Sequence, residues 1–235
     1  MTQAWGDDAP APGLLAAGRN LDISTLCGAY AQGIFPWFSA GQPILWWSPN
    51  PRMVLKVDEF RLHRSLRKTL HRFRLTPECE IRINTSFEQV IQACAVSPRD
   101  GQSGTWIVPD MVQAYTALHR AGFAHSVETW INGELAGGLY AVTLGQAVFG
   151  ESMFTRAPDA SKIALAALVC LCRYHGIRLI DCQQNTRHLA SLGAREIPRL
   201  DFLAHVAATH HQPPPAWQFT PLYWRELLNI PEPTP

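Results

Sequence analysis

Asn132-Gly133 divides two stretches, residues 125–131 and 134–143, that read as strands. A two-residue connection between strands needs positive φ at its central positions, and Asn-Gly meets that need at little steric cost. The dipeptide therefore predicts an antiparallel hairpin. Residues 146–154 continue the run as a third strand. Residues 160–174 form a largely apolar, buried helix that stops at His175-Gly176. An apolar strand over 177–183 ends in polar residues. Short helices follow over 186–192, closed by Gly193, and over 201–209. A meander followed by helix, strand and helix predicts an α+β fold, a mixed sheet with helices packed on it.

Upstream, helices are predicted over 87–95 and over 110–120, the latter begun by Pro109 and stopped by Gly122. Leu62, Leu66 and Leu70 recur every four residues, which predicts a helix over 58–73 that Pro77 bars from continuing. Residues 21–51 are dense in Gly, Pro and aromatics, and read as a short helix (23–32) followed by tight loops and short strands. The pattern changes near Val57. This places a small N-terminal domain over 1–56 and a larger one over 57–235. The chain is 47% hydrophobic over 235 residues, enough for a sizeable core. The Pro-rich tail is expected to lie over the surface.

Several classes are excluded at this level. No run approaches about eighteen consecutive apolar residues, so no membrane span is expected. Residues 1–12 lack a basic start followed by an apolar core, unlike a signal peptide. None of the six cysteines forms a C-x-x-C pair, which points to a reduced, cytosolic protein without a structural metal. The net charge of +1 leaves contact with nucleic acid to a local basic patch. There is no G-x-S-x-G elbow, Walker loop or His-x-x-x-His zinc spacing. The junction at 155–159 lacks the Gly-rich freedom that wraps a pyrophosphate, which counts against a coenzyme A-dependent acyltransferase.

Four constellations carry chemistry. Asp181 and Gln183 end the last predicted strand, and residues two apart share a face. An acid and an amide side by side can orient an amine; the same pair would also cap the following helix, and spacing alone does not choose. Glu151 and Met153 likewise share a face, as an apolar pocket with an anionic lip or as a solvated edge strand. Phe35-Pro36-Trp37-Phe38, Trp46-Trp47 and Trp106 supply large rings, most of them core, with one or two available for stacking on a base. Arg61, Arg64 and Lys68 repeat at helical spacing with Arg67 nearby, and no acid lies between Glu59 and Glu78. That face suits phosphates or simply solvent.

In order and spacing, these segments resemble the leucyl/phenylalanyl-tRNA–protein transferases. The match runs through Tyr30-Ala31-Gln32-Gly33-Ile34-Phe35-Pro36-Trp37-Phe38, Pro43-Ile44-Leu45-Trp46-Trp47-Ser48-Pro49, Pro51-Arg52 and Gly104-Thr105-Trp106-Ile107. It continues through Gly150-Glu151-Ser152-Met153-Phe154, Ala160-Ser161-Lys162 and Leu179-Ile180-Asp181-Cys182-Gln183, over roughly residues 13–203. The resemblance implies a small N-terminal domain and an N-acetyltransferase-like mixed sheet flanked by helices. It implies a cytoplasmic aminoacyltransferase without cofactor or metal. Leu or Phe, with Met as a third, would pass from Leu-tRNA or Phe-tRNA to proteins with N-terminal Arg or Lys, marking them for N-degron degradation. Asp181 and Gln183 would act on the amine, and Glu151 would place polar groups of the reactants. Leu139, Met153, Leu165, Leu168 and Ile180 would line the side-chain pocket. Val148, also expected to bind substrate, and Cys172 fall at pocket positions where the family pattern has larger aromatics, so a wider hollow is expected. Trp37 and Trp106 would flank the terminal adenosine, while Arg61, Arg64, Arg67 and Lys68 would meet acceptor-stem phosphates.

Overall fold

A computed structural model describes residues 3–4, 10–97 and 107–229. In chain order the first elements are β1 (Gln3–Ala4), β2 (Leu14–Gly18), α1 (Ile23–Tyr30), β3 (Phe35–Pro36) and β4 (Ile44–Trp47). The strands pair antiparallel in the order β1-β2-β4-β3. Asp22 caps α1, its carboxylate accepting from Thr25 N at 2.7 Å.

The second sheet begins with β5 (Arg52–Lys56), before the change of pattern near Val57. Then follow α2 (Arg64–Leu75), β6 (Cys79–Ile83), α3 (Phe87–Val96), α4 (Pro109–Arg120), β7 (Ala124–Ile131), β8 (Glu134–Leu144) and β9 (Ala147–Thr155). The chain continues with α5 (Ala160–Tyr174), β10 (Leu179–Gln183), α6 (Arg187–Ser191), β11 (Arg195–Ile197) and α7 (Arg199–Thr209). The seven strands lie in the order β11-β5-β10-β9-β8-β7-β6. Among the described residues only β9 and β10 run parallel, joined through α5. The α+β class expected from the sequence is what the strand order displays.

Alternation along the strands feeds two hydrophobic layers. On β8, Tyr140 and Val142 face α3, α4 and the small sheet, while Leu139 and Ala141 face α5 and α2. Helix α5 is buried along nearly its whole length, including Leu165, Leu168 and Leu171. Full burial of one such side chain stabilises by about 1.5–3 kcal/mol.

Three expectations are corrected. Residues 57–59 form a separate 3-10 turn, and the helix expected over 58–73 starts only at Arg64. The buried stripe of α2 is Leu66, Leu70 and Phe73, with Leu62 half-buried ahead of it. The tail does not merely lie on the surface. Tyr223, Trp224 and Leu228 are buried against the α5 layer, where Trp224 meets Phe73 edge-on. A Pro-rich composition masked these anchors, because large rings spaced irregularly leave no helical or strand period.

Candidate active site

The site forms where the parallel pair comes apart. β9 and β10 pair at Val148 with Ile180 and at Phe149 with Asp181, and no further. Each strand carries a bulge there. On β9 the register skips Glu151, and on β10 it skips Cys182. A bulge reverses which face later residues occupy. Phe149 and Phe154 are five positions apart, yet they pack in the same layer. The sequence expectation that Glu151 and Met153 share a face is therefore corrected. Glu151 turns to Tyr30 and Tyr115 of one layer, while Met153 turns to the other.

Both residues still border the opening. A cavity of about 210 Å³ lies there, walled by Leu139, Met153, Leu165, Leu168, Ile180 and Leu189. Glu151, Asp181 and Gln183 reach its polar side, and Thr186 and His188 its rim. A second hollow of about 210 Å³ adjoins it. The two share Glu151, Ser152, Cys182, Gln183, Thr186 and Leu189, and the second is closed by Phe35 and Trp37. An apolar chamber thus meets an aromatic-sided one across a polar sill.

The sill is a hydrogen-bonded chain. Gln183 has φ of 58°, a left-handed conformation, and its backbone N–H donates to Asp181 Oδ1 at 3.0 Å. Its side-chain Nε2 donates to Glu151 Oε1 at 3.0 Å. Tyr30 donates its hydroxyl proton to the same oxygen at 2.7 Å, and the Tyr30 and Tyr115 hydroxyls lie 2.6 Å apart. Both phenols are fully buried, and burial first of all pushes their pKa values well up, so they remain donors. Burial raises Glu151 to about 8, assisted by Asp181 and opposed by Tyr30, Arg52 and Tyr115. Burial likewise pushes the Cys182 thiol up and keeps it protonated.

Asp181 is wholly buried and taken up by Arg52, which is also wholly buried. Arg52 Nε donates to Oδ1 at 2.7 Å and Nη2 to Oδ2 at 2.6 Å. Asp181 and Gln183 do meet at the cleft, but through a bulge and a main-chain bond rather than by plain alternation.

The family model "Leucyl/phenylalanyl-tRNA protein transferase" matches residues 54–207, and the model of that family's N-terminal domain matches residues 19–50. The chain belongs to the leucyl/phenylalanyl-tRNA–protein transferase family. A leucyl/phenylalanyl-tRNA–protein transferase of Polaromonas sp. (strain JS666) is 65% identical over 231 residues, covering 98% of this chain and 91% of the relative. That of Albidiferax ferrireducens is 66% identical over 228 residues, 97% and 90% of the two chains. Among solved structures, a GCN5-related N-acetyltransferase from Kribbella flavida overlaps 70% of this chain and 56% of its own at 11% identity. The TM-score of that overlap is 0.37.

Within the family frame, the expected residues fall as follows. Leu139, Met153, Leu165, Leu168 and Ile180 line the cavity together. Val148 lies in the core beneath, paired with Ile180, and Cys172 is buried in α5; neither is among the cavity's lining residues. Trp37 borders the second hollow and meets Trp47 edge-on. Trp106 lies outside the described residues. Arg61, Arg64, Arg67 and Lys68 are exposed, and none makes an ion pair among the described residues. Their segment is stapled to the cleft: Arg61 N donates to Leu192 O at 2.8 Å, and His63 Nε2 lies 2.8 Å from Ser191 O, just beyond α6 and at its end.

Sequence reasoning gave no role to Arg52, Tyr30 or Tyr115. The first two stand inside the matched motifs, so a lone buried-type Arg after Pro51 was the available signal. Tyr115 sits in an ordinary amphipathic helix and offered none. No group of three His, Cys, Asp or Glu among the described residues could hold a metal.

Proposed function

We propose that this chain transfers Leu or Phe, and also Met, from an aminoacyl-tRNA to the N-terminal Arg or Lys of an acceptor protein. The reaction is ester aminolysis and marks the acceptor for N-degron degradation. The reading gains its main support from the apolar cavity ending at a sill of Glu151 and Gln183, with an aromatic-sided hollow on the far side. The amino-acid side chain enters the first chamber, and the terminal adenosine lies against Trp37 in the second. The ester carbonyl then falls at the sill.

The donor ester is already activated, so the acceptor needs only placement and a free amine. Its nitrogen bonds to the carbonyl carbon, the carbon–oxygen bond to the tRNA breaks, and the departing hydroxyl takes up the proton the amine gives up. Holding two reactants in register supplies up to about 7–11 kcal/mol of the barrier. Gln183 Nε2 is committed to Glu151, which leaves its carbonyl oxygen to accept from the amine. Glu151 holds that amide and the polar groups of the reactants. Asp181 acts from behind, since three donors already occupy it.

Arg61, Arg64, Arg67 and Lys68 lead acceptor-stem phosphates towards the opening. The chain is read as a small unit over 1–56 and an acyltransferase-like unit over 57–235, with β5 the strand by which the first enters the sheet of the second. Its place of action is the cytoplasm, and it works without cofactor. The test mixes the protein with labelled Leu-tRNA and a peptide beginning with Arg. Label is expected to move to the peptide. Label that stays on the tRNA, while an authentic transferase moves it, overturns the reading.

A further inference from the structure

Asp181 is the member of the sill that three protein donors hold from behind. Its Oδ1 receives Arg52 Nε and Gln183 N, and its Oδ2 receives Arg52 Nη2. A planar guanidinium presents two parallel donors to a carboxylate, so the fork sets the plane of Asp181 as well as its charge. The fork is itself held. Arg52 Nη1 donates to Gly33 O at 3.1 Å, and the guanidinium carbon sits 4.4 Å from the Phe202 ring centre and 4.9 Å from that of Phe35. Only glycine fits at 33. Its φ is 69°, and a Cβ there would lie 2.5 Å from Leu203 Cδ2 and 2.9 Å from Phe202 Cε1. Three parts of the chain, residues 33–35, β5 and α7, therefore converge on one cation.

We propose that Arg52 is a positioning residue for aminoacyl transfer: its fork fixes Asp181, and Asp181 ties the Gln183 backbone into the left-handed turn that aims the amide at the cleft. The inference rests on the reading of Gln183 as the group that receives the amine. Arg52 lies beneath the sill and is absent from the lining of both hollows, so it acts on geometry and not on substrate.

The conservative substitution discriminates. Arg52→Lys keeps one positive charge but replaces a rigid fork with a compact ammonium. Arg52→Lys is expected to lower kcat at least tenfold while the KM values for aminoacyl-tRNA and for the Arg-peptide stay within twofold. The same change placed in Gln183→Ala should lower kcat by less than twofold further, because both act through one amide. A tenfold loss repeated in that background overturns the proposal, as does a full-strength kcat in Arg52→Lys. If Gln183→Ala by itself transfers at the original rate, it is the reading of Gln183 that fails. Phe202→Leu removes one ring from the guanidinium and leaves the ion pair, and serves if Arg52→Lys does not fold. It is expected to lower kcat about threefold with KM unchanged, and an unchanged kcat there counts against Arg52 as a positioning residue.

Discussion

Gln183 and Glu151 join β10 to β9 at the point where the two strands cease to pair, through a 3.0 Å bond from Nε2 to Oε1. The bond commits one end of the amide to the strand gap, and on the proposed reading the other end receives the amine. Gln183→Ala removes both. It is expected to lower kcat about a hundredfold, roughly 2.7 kcal/mol of barrier. The melting temperature should move by no more than about 2 °C, since the side chain borders a cavity. Single-turnover transfer and a thermal melt on the same preparation check the two halves. Equal loss of folding and rate would make Gln183 a structural residue.

The Glu151 carboxyl has its pKa raised to about 8, with burial as the first cause. Its unfolded value is near 4.5. The folded state therefore holds the proton more tightly between these values. The contribution to stability is fully present below about 4.5, declines as pH rises, and is lost above about 8. Melting temperatures across pH 4.5 to 9 should fall more steeply for the natural chain than for Glu151→Gln, which has no proton to lose. Parallel curves would show that Glu151 does not titrate in this window.

On the proposed reading the cavity walls set which side chain is accepted. Leu165 and Leu168 lie three apart on α5 and both reach the chamber. Leu165→Phe fills part of it. Transfer of Phe is expected to suffer more than transfer of Leu, with the ratio of kcat/KM shifting about tenfold or more, within the range of about 1–3 kcal/mol that one misfit group commands. Competition between Leu-tRNA and Phe-tRNA measures it. An unchanged ratio would remove Leu165 from the specificity wall.

Arg64, Arg67 and Lys68 extend the exposed basic face beside α6. Each phosphate contact releases counterions, so affinity falls with salt. Replacing all three by Ala should reduce the slope of log K against log salt by about 2–3. Binding measured between 50 and 200 mM salt, about the range over which such contacts act, decides this. A slope equal to that of the natural chain would place the tRNA elsewhere.

The tail is held by Trp224, 3% exposed, which packs on Phe73 and Phe219. Trp224→Ala is expected to cost about 3–5 kcal/mol of stability, the usual range for an aromatic truncated to alanine in a core. Activity per folded molecule should hold, because Trp224 does not line the cleft. Urea unfolding with an active-site titration checks both. A change under about 1 kcal/mol would show that the tail is only loosely seated.

Much of this architecture was written in local chemistry. The Asn132-Gly133 turn between β7 and β8 and the apolar run of α5 depend on residues a few positions apart, which is the range over which propensity and periodicity act. The order of motifs was enough to point to the family, and it named Glu151, Asp181 and Gln183. Tertiary structure decided what those residues do to one another. Arg52 and Asp181 are 129 positions apart, and Tyr30 and Glu151 are 121 apart. No local rule couples positions so distant. The two bulges came from the same source: a strand pattern predicts unbroken alternation, and only the packing of Tyr30, Tyr115 and α5 on opposite sides of β9 shows where it must break. The edge strand β6 was missed although Cys79, Ile81 and Ile83 alternate with Glu80 and Arg82 and pack on one layer, whereas β11, three residues long, is too short to set a period. Sequence determined the elements and the chemistry available to them. Burial, which depends on the whole chain closing at once, decided which carboxyl is clamped by Arg52 and which meets Tyr30 and Gln183.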